Sequence, residues 1–528
     1  MQRGQYEQQV QSCQVELAQL TAQRDQYKKL YLEMLELCRK LERGILGQKR
    51  EKLPPAEEQL TMSLLALLLG EQPPAPPPAV EQVQAHVRAK PTGRKPLPET
   101  LPRVDIEVIP PEVQEQGLAS FERIGEDVTE TVERRPGSLV VVRVHKPKFV
   151  PKDRDRNAET KVLQSPTPEL PILRGLAGPG LLADTVVKRW QDHLPLYRQE
   201  RIFGREGLEL ARSTICGWHE ELARLAKPVV DAMWADALQA PYLCIDATGV
   251  LVQALEKCRS AHFFVVIAPE KHVLFGYAPK HDSAAVDNLL RDYKGYLVAD
   301  AHTVYDHLYQ KGEVTEVGCW SHTRRYFFKV LTSDPVRARE ALAYLKALFQ
   351  IERAQATAPP ELRLKVRQRE SRPIVERFFA WCEVQAPRVL DETPLAKGLG
   401  YVHNQRAALA RFLEDGRLPM HNNFSERQLR REALGRKNWL FLGSDEGGET
   451  NATFVTFLAS CQLHEIEPLG YLRDLFCLLP SWPSRRVLEL APAYWRTTLA
   501  APDTQRLLAA NIFRQASLGR LVPPQITL

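Results

Sequence analysis

One stretch near the middle of the chain constrains the fold more than any other, because it is strongly strand-forming and yet carries a carboxylate. Residues 241–253 read PYLCIDATGVLVQ, and both sets of alternating positions are mostly apolar. A strand that is apolar on both faces is typical of the centre of a sheet that is covered on both sides. A lone carboxylate buried there would cost several kcal/mol or take up a proton. Asp246 therefore requires a partner.

The segments that follow alternate between strand and helix patterns. Two further strand patterns, AHFFVVIAP and HVLFGYAP, come first, and helix, strand, helix, strand and helix patterns continue to residue 330. This order predicts a mixed α/β sheet of the ribonuclease-H-like class. In that order the first and fourth strands are adjacent and parallel, so Asp300 at the end of the fourth strand is predicted to approach Asp246. When two carboxylates are adjacent, the pKa of one of them is raised unless a cation lies between them. A site whose ligands are all oxygen atoms suits Mg²⁺ or Mn²⁺.

A third acid is needed for a pair of metal ions, and Glu426 is the best candidate. It lies at the edge of the apolar face of a predicted helix, NNFSERQLRREALG. The alternative is a surface ion pair between Glu426 and Arg430, which is common on helices. Basic residues surround this helix and open the helix that follows the fifth strand. Such clusters fit a phosphodiester substrate, although a solvated helix face explains any single arginine equally well.

A second candidate DNA-contact region precedes the sheet. Residues 175–235 predict a helix, a turn near Gly204 and Gly207, and a further helix for which Ser213 or Thr214 could supply the cap. This is the layout of a helix-turn-helix, although helical hairpins without DNA contacts are also common. The residues that we predict to contact DNA are Arg212, Ser213, Thr214, Arg324, Arg325, Arg427, Arg430, Arg431, Arg436 and Lys437.

The N-terminal part has a different character. Apolar residues at heptad spacing predict a coiled coil for self-association, the alternative being a helix packed on its own chain. Dense proline then predicts an extended linker. The predicted organisation is a coiled coil at 1–50, a short helix and linker at 51–97, a small β unit at 98–152, the helix-turn-helix-like region at 153–236, the first part of the α/β core at 237–330, a helical insertion at 331–418, the second part of the core at 419–465 and a helical tail at 466–528.

Composition narrows the classes of protein. The 528 residues are too many for one ordinary domain, and a net charge of +6 permits a nucleic-acid partner without demanding one. The nine cysteines are scattered without a CxxC pair, which argues against a disulfide framework and a cysteine-rich zinc site. No apolar run is long enough for a membrane span, and no signal peptide is recognisable. We therefore expect a cytoplasmic protein, associated with the nucleoid and with no membrane partner.

Several stretches resemble the transposases of the bacterial insertion sequence sixty-six family. They include HLPLYRQERIFGREG, YLCIDATGVLV, CWSHTRRYFF and HNNFSERQLRREALGRKNWLF, in the family's order from about residue 100 to 490. The resemblance implies a catalytic, metal-binding triad of Asp246, Asp300 and Glu426 with two Mg²⁺ or Mn²⁺ ions. It also implies cleavage at element ends, joining of the 3′-hydroxyl to target DNA, multimers on terminal inverted repeats, and small accessory proteins of the same element.

The chain departs from the family pattern at three places. The family has cysteine pairs in the β unit, but this chain has no cysteine between residues 38 and 216, so we predict no zinc. Ala247 replaces the glutamate of the usual Asp-Glu-Thr, and His421 replaces the aspartate of the usual Asp-Asn-Asn. Two alternatives therefore stay open: a DNA-binding relative that has lost catalysis, and a ribonuclease-H-like nuclease that cuts without transposition.

Overall fold

A computed structural model of the chain describes residues 17–22, 24–25, 31, 139, 148–149, 163–164, 169–172, 175, 177–255 and 257–518. The predicted coiled coil lies mostly outside this part, and its described positions are helical. The predicted linker lies outside the described residues. So does the predicted β unit, apart from residue 139 and the short strand Lys148–Phe149, which pairs with Leu163–Gln164.

The centre of the described part is a five-stranded mixed sheet, as the alternating pattern predicts. Its strands are, in chain order, β1 (Tyr242–Val252), β2 (Arg259–Ala268), β3 (His272–Ala278), β4 (Gly295–Val298) and β5 (Val314–Val317). Their order in space is β3-β2-β1-β4-β5. The first three form an antiparallel meander, whereas β4 is parallel to β1 and β5 is parallel to β4. The predicted adjacency of the first and fourth strands is confirmed.

The open edge of β3 is covered by a helix that supplies hydrogen-bond partners to it. The backbone N–H groups of Val273 and Phe275 donate to the hydroxyls of Ser460 and Thr456 at 3.1 and 2.8 Å. The Ser460 hydroxyl in turn donates to the carbonyl of Val273 at 3.1 Å. An uncovered edge strand would expose such groups to pairing with another chain, so these small polar residues close the sheet on this side.

Between residues 177 and 241 of the described part, three helices precede the sheet: α1 (Pro179–Trp190), α2 (Leu196–Arg205) and α3 (Arg212–Ala237). The prediction that Ser213 or Thr214 caps the last of these is wrong. Ala211 occupies the capping position in an extended conformation, and the helix begins one residue later. Both hydroxyl residues therefore lie in the first turn, where they are exposed. Gly207 has a φ of +86°, which fits the predicted turn between the helices.

Helices also connect the parallel strands. They are α4 (Ser283–Leu290), between β3 and β4, and α5 (Asp306–Gln310), between β4 and β5 after a short 3₁₀ turn. A further helix, α6 (Trp320–Val330), follows β5. Asp282 caps α4, its carboxylate accepting the N–H of Ala285 at 3.0 Å. The right-handed crossovers expected between parallel strands need connections of this kind.

The segment after α6 is helical, as predicted, and has a core of its own. Its elements are α7 (Pro335–Ala354), α8 (Pro360–Val366), α9 (Arg372–Gln385), α10 (Pro394–Asn404) and α11 (Arg406–Ala410). Trp320 and Phe327 of α6 are fully buried in this core with Phe378. Because α6 follows β5 directly, it joins the helical segment to the sheet.

The remaining helices are α12 (Asn423–Trp439), α13 (Asp445–Leu463), α14 (Pro468–Leu478), α15 (Pro492–Ala500), α16 (Pro502–Ala510) and α17 (Ile512–Ser517). The sequence NWLFLGSDEGG, residues 438–448, predicts a strand followed by a glycine-rich turn, but this prediction is wrong. Leu442 makes a single bridge to Val252, and Ser444 caps α13 by accepting the N–H of Gly447. None of the helices in the described residues is long and apolar enough to cross a membrane.

Candidate active site

The register of the sheet brings two of the predicted acids to one level. Cys244 of β1 pairs with Val298 of β4 in the parallel ladder. Asp246 and Asp300 each stand two residues further along their chain segments. Because parallel neighbours advance together, the two carboxylates emerge at the same end of this strand pair.

Asp246 is partly buried, and its protonation reflects its neighbours. Burial, and to a lesser degree the negative charges of Asp300 and Glu426, raise its pKa to about 7. The backbone N–H of Ala247, which donates to its carboxylate at 2.8 Å, and the charge of Arg325 oppose this rise. All three predicted acids therefore belong to one electrostatic cluster, in which additional positive charge would favour the ionised form of Asp246.

The helix that carries Glu426 is anchored to β1 at two points. Near its start, the side-chain amide of Asn422 donates to the carbonyl of Ile245 at 2.7 Å. Near its end, the guanidinium of Arg436 donates to the Thr248 hydroxyl at 3.2 Å and to the carbonyl of Gly249. These contacts bracket Asp246 on the strand. They hold α12 across the position where the first two acids lie.

The carboxylate of Glu426 is engaged by the helix that follows β5. Nη2 of Arg325 lies 3.4 Å from Oε1 and 3.3 Å from Oε2 of Glu426. Nε2 of His322 lies 3.7 Å from Oε1. The surface pair with Arg430, which was the alternative for Glu426, does not form among the described residues, and Glu426 pairs with Arg325 of another helix instead.

The three acids agree in chemistry with a divalent metal ion, because they offer only oxygen atoms and their charges act on one another. Across the described ranges, however, no three His, Cys, Asp or Glu side chains converge closely enough to hold a metal ion together. Glu426 is instead held by Arg325. Metal binding by all three would therefore require their carboxylates to move closer together than they are here.

The residues predicted to contact DNA differ in their access to solvent and in their partners. Arg431 donates to the side-chain carbonyl of Gln191 at 3.0 Å, and Arg436 is tied to β1, so both contribute to packing. Arg324 and Arg325 lie partly buried on α6. Six predicted contacts are exposed: Arg212, Ser213, Thr214, Arg427, Arg430 and Lys437.

A buried polar network on α12 was not predicted. Glu432 is 3% exposed, and its carboxylate accepts the side-chain amide of Asn451 at 2.8 Å. The carbonyl of that amide accepts the indole N–H of Trp190. Burial raises the pKa of Glu432 to about 7 against the opposing effects of this hydrogen bond and of Arg189. A signal was present, because Glu432 follows Leu429 by three residues on the apolar face.

Three histidines near Asp300 were also missed. The ring centroids of His262 and His281 are 4.9 Å apart, and those of His281 and His302 are 4.5 Å apart. His302 is exposed, and its Nδ1 accepts the N–H of Val304 at 3.3 Å. These three rings form an aromatic cluster, and the negative charge of Asp300 acts on the pKa of His281. The signal was a histidine within four residues after the end of each of two strands, His281 after β3 and His302 after β4.

The two altered motif positions have local partners. His421 stacks on Phe349 with ring centroids 5.7 Å apart, and burial lowers its pKa. Ala247 contributes its backbone N–H to Asp246. Both replacements are therefore accommodated without removing any of the three acids.

A mixed sheet whose central strand carries one acid of a three-acid cluster, crossed by a basic helix, is consistent with a core of the Asp-Asp-Glu type. Comparison with known families agrees. The family described as "Transposase IS66 family" matches residues 174–450, over half of the chain, and "Transposase C of IS166 homeodomain" matches residues 33–106. This chain belongs to the IS66 transposase family.

Similar proteins occur in Sinorhizobium fredii (strain NBRC 101917 / NGR234). The uncharacterized protein y4hP is 28% identical over 494 residues, which cover 88% of each chain. The uncharacterized protein y4qI is 29% identical over 423 residues, 76% of this chain and 77% of that protein. The similarity extends along most of the chain, well beyond the sheet.

Proposed function

We propose that this chain is a DNA transposase that cuts phosphodiester bonds at the ends of its element and joins the 3′-hydroxyl ends to target DNA. Asp246, Asp300 and Glu426 are its catalytic carboxylates, on a ribonuclease-H-like core. The observation that carries the proposal is the shared electrostatic cluster of these acids, which come from three separate segments. Family membership supports the same reading.

Different residues of the chain would bind the metal ions, position the Glu426 helix and bind the DNA backbone. The three carboxylates would hold two Mg²⁺ or Mn²⁺ ions, which when bound supply charge stabilisation at phosphorus and a more acidic attacking hydroxyl. Asn422 and Arg436 keep the Glu426 helix on β1. The exposed cations of this helix bind backbone phosphates next to the scissile bond, which fixes the register of the DNA.

The rest of the chain would bind and assemble the DNA ends. In this proposal the region 153–236 contacts the terminal inverted repeats through residues 212–214 at the start of α3. The N-terminal 1–50 segment joins copies of the chain, and 98–152 folds without zinc. Small accessory proteins of the element, and location at the nucleoid, belong to the same proposal.

The test is a cleavage and strand-transfer assay on the purified full chain. The substrate is labelled DNA made from the repeats that flank the gene, with Mg²⁺ or with chelator. Wild type should yield metal-dependent products, and the Glu426→Ala variant should bind the same DNA without products. Glu449→Ala, which removes an exposed acid from α13, is the matched control and should cleave normally.

The outcomes separate the alternatives. Equal cleavage by Glu426→Ala would refute the assigned triad. Sequence-specific binding by wild type without any products, and indifferent to Mg²⁺, would favour a DNA-binding relative that has lost catalysis. Cleavage of branched DNA or RNA hybrids without joining would favour a nuclease.

A further inference from the structure

We propose that Arg325 is an internal counter-cation of the acid cluster, which holds the carboxylate of Glu426 and releases it to a metal ion when DNA binds. The inference rests on the proposed function, because it concerns metal binding by the same acids. It adds a positioning residue and a coupling between the two ligands of the site.

The first support is geometric. One guanidinium nitrogen of Arg325 reaches both oxygens of Glu426, and the ring of His322 approaches one of them from the same helix. Positions 322 and 325 are three residues apart, so they share a face of α6. That face is directed at the acid that the metal ion would need.

The helix that presents Arg325 is fixed in place. The backbone N–H of Trp320 donates to the carbonyl of Met420 at 3.1 Å, just before α12. The indole N–H of the same residue donates to the carbonyl of Leu409 at 2.9 Å. The starts of α6 and α12 are thus tied together, so the contact between Arg325 and Glu426 joins two rigid elements.

The second support is electrostatic. Arg325 places a positive charge 3.3 Å from the carboxylate of Glu426, where a metal ion would also bind. A carboxylate oxygen can bind a metal ion and accept a hydrogen bond at the same time, but a guanidinium beside it repels the metal cation. Arg325 and the metal ion must therefore compete for Glu426.

The ion pair between Arg325 and Glu426 is weak enough for either residue to exchange its partner. The side chains of Arg325 and Glu426 are 39% and 29% exposed, and pairs so accessible to water add little to stability. Phosphate offers a guanidinium a stronger, bidentate alternative. Since DNA would draw Arg325 away and metal would occupy Glu426, each ligand should tighten the binding of the other by the same factor.

The test measures Mn²⁺ affinity of the full chain by electron paramagnetic resonance, with and without repeat DNA. In wild type, DNA should tighten Mn²⁺ binding at least about fivefold, the lower end of ordinary coupling. Without DNA, Mn²⁺ should bind more tightly to Arg325→Gln than to wild type. Adding DNA should change the Mn²⁺ affinity of this variant little. Lys329→Gln removes a charge one turn further along α6 and should resemble wild type.

Two further variants keep the test decisive. Arg325→Lys retains the charge without the planar guanidinium, so its Mn²⁺ affinity should lie between those of wild type and Arg325→Gln. This variant also provides a test if Arg325→Gln does not fold. Asp246→Asn should weaken Mn²⁺ binding in every case. The inference is overturned if wild type and Arg325→Gln bind Mn²⁺ with equal affinity. It is also overturned if Lys329→Gln tightens Mn²⁺ binding as much as Arg325→Gln does. Either result leaves the proposed function intact. Mn²⁺ binding that ignores Asp246→Asn would refute the proposed metal site itself.

Discussion

The buried carboxyl group of Glu432 should make the protein less stable as the pH rises, and Glu432→Gln should remove that dependence. The pKa of this group is raised from 4.5 to about 7, with burial as the main cause. Between these values the folded protein keeps a proton that the unfolded chain has lost. Stability therefore falls as the pH rises through this window and is constant above it.

The size of the effect follows from the shift. At 1.36 kcal/mol per pKa unit, the rise corresponds to about 3 kcal/mol lost between pH 4.5 and 7. No large screening discount applies, because the residue is 3% exposed. Glutamine keeps an oxygen that can accept the amide of Asn451. The variant should therefore match wild type near pH 5 and exceed its stability at pH 8.

The assay is thermal unfolding followed by tryptophan fluorescence between pH 5 and 8. For a large core, about 3 kcal/mol corresponds to a rise in Tm of roughly 3–6 °C at pH 8. Glu449→Gln on the neighbouring helix is the control, since that acid is exposed, and its curve should follow wild type. Parallel pH curves for wild type and Glu432→Gln would refute the reasoning.

Three further substitutions have effects that the structure predicts. Burial lowers the pKa of His219 to about 3, so the folded state resists the proton that the unfolded chain accepts below pH 6.5. Stability should then fall by up to about 1.4 kcal/mol per pH unit on acidification, and an unchanged acid-denaturation slope in His219→Gln would count against this. A Cβ at Gly448 would lie 2.5 Å from the ring of Tyr277, so Gly448→Ala should lose about 1–3 kcal/mol in urea denaturation, and an unaltered midpoint would contradict the crowding. Asp474 is 4% exposed between two arginines, so Asp474→Asn should cost about 3 kcal/mol, measured as faster hydrogen exchange in the C-terminal helices, with unchanged exchange as the opposing result.

Secondary structure could be predicted well in the core because its signals are local. Alternation of apolar residues marks β1 to β3, and it does not depend on what the strands pack against. The wrong prediction of a strand and turn between α12 and α13 also concerns a local signal. The glycines of GSDEGG were interpreted as a turn, but Ser444 caps the helix that begins at Asp445, a contact also confined to neighbouring residues. Ser444 is a favourable capping residue that was visible in the sequence, and in the structure its effect outweighs that of the glycines.

The meeting of Asp246 and Asp300 could be predicted because topology rules are nearly as general as local ones. Parallel neighbours follow from the order of strands and helices, and the observed register agrees. The partners of Glu426 could not be predicted in this way. Arg325 lies 101 residues away in sequence, and Asn422 reaches Ile245 across 177 residues. No periodic pattern specifies such pairs.

The sequence by itself determined the five strands of the sheet, most of the helices around it and the choice of three candidate acids, which follows from the strand order and the apolar helix face. Only the tertiary structure decided that Arg325 holds Glu426, that Arg436 is tied to β1 and that Glu432 is buried with Asn451. The physical reason is that periodicity reports which side of an element is buried. The partner of a charged side chain depends on how distant elements pack, and that packing is set by the whole core.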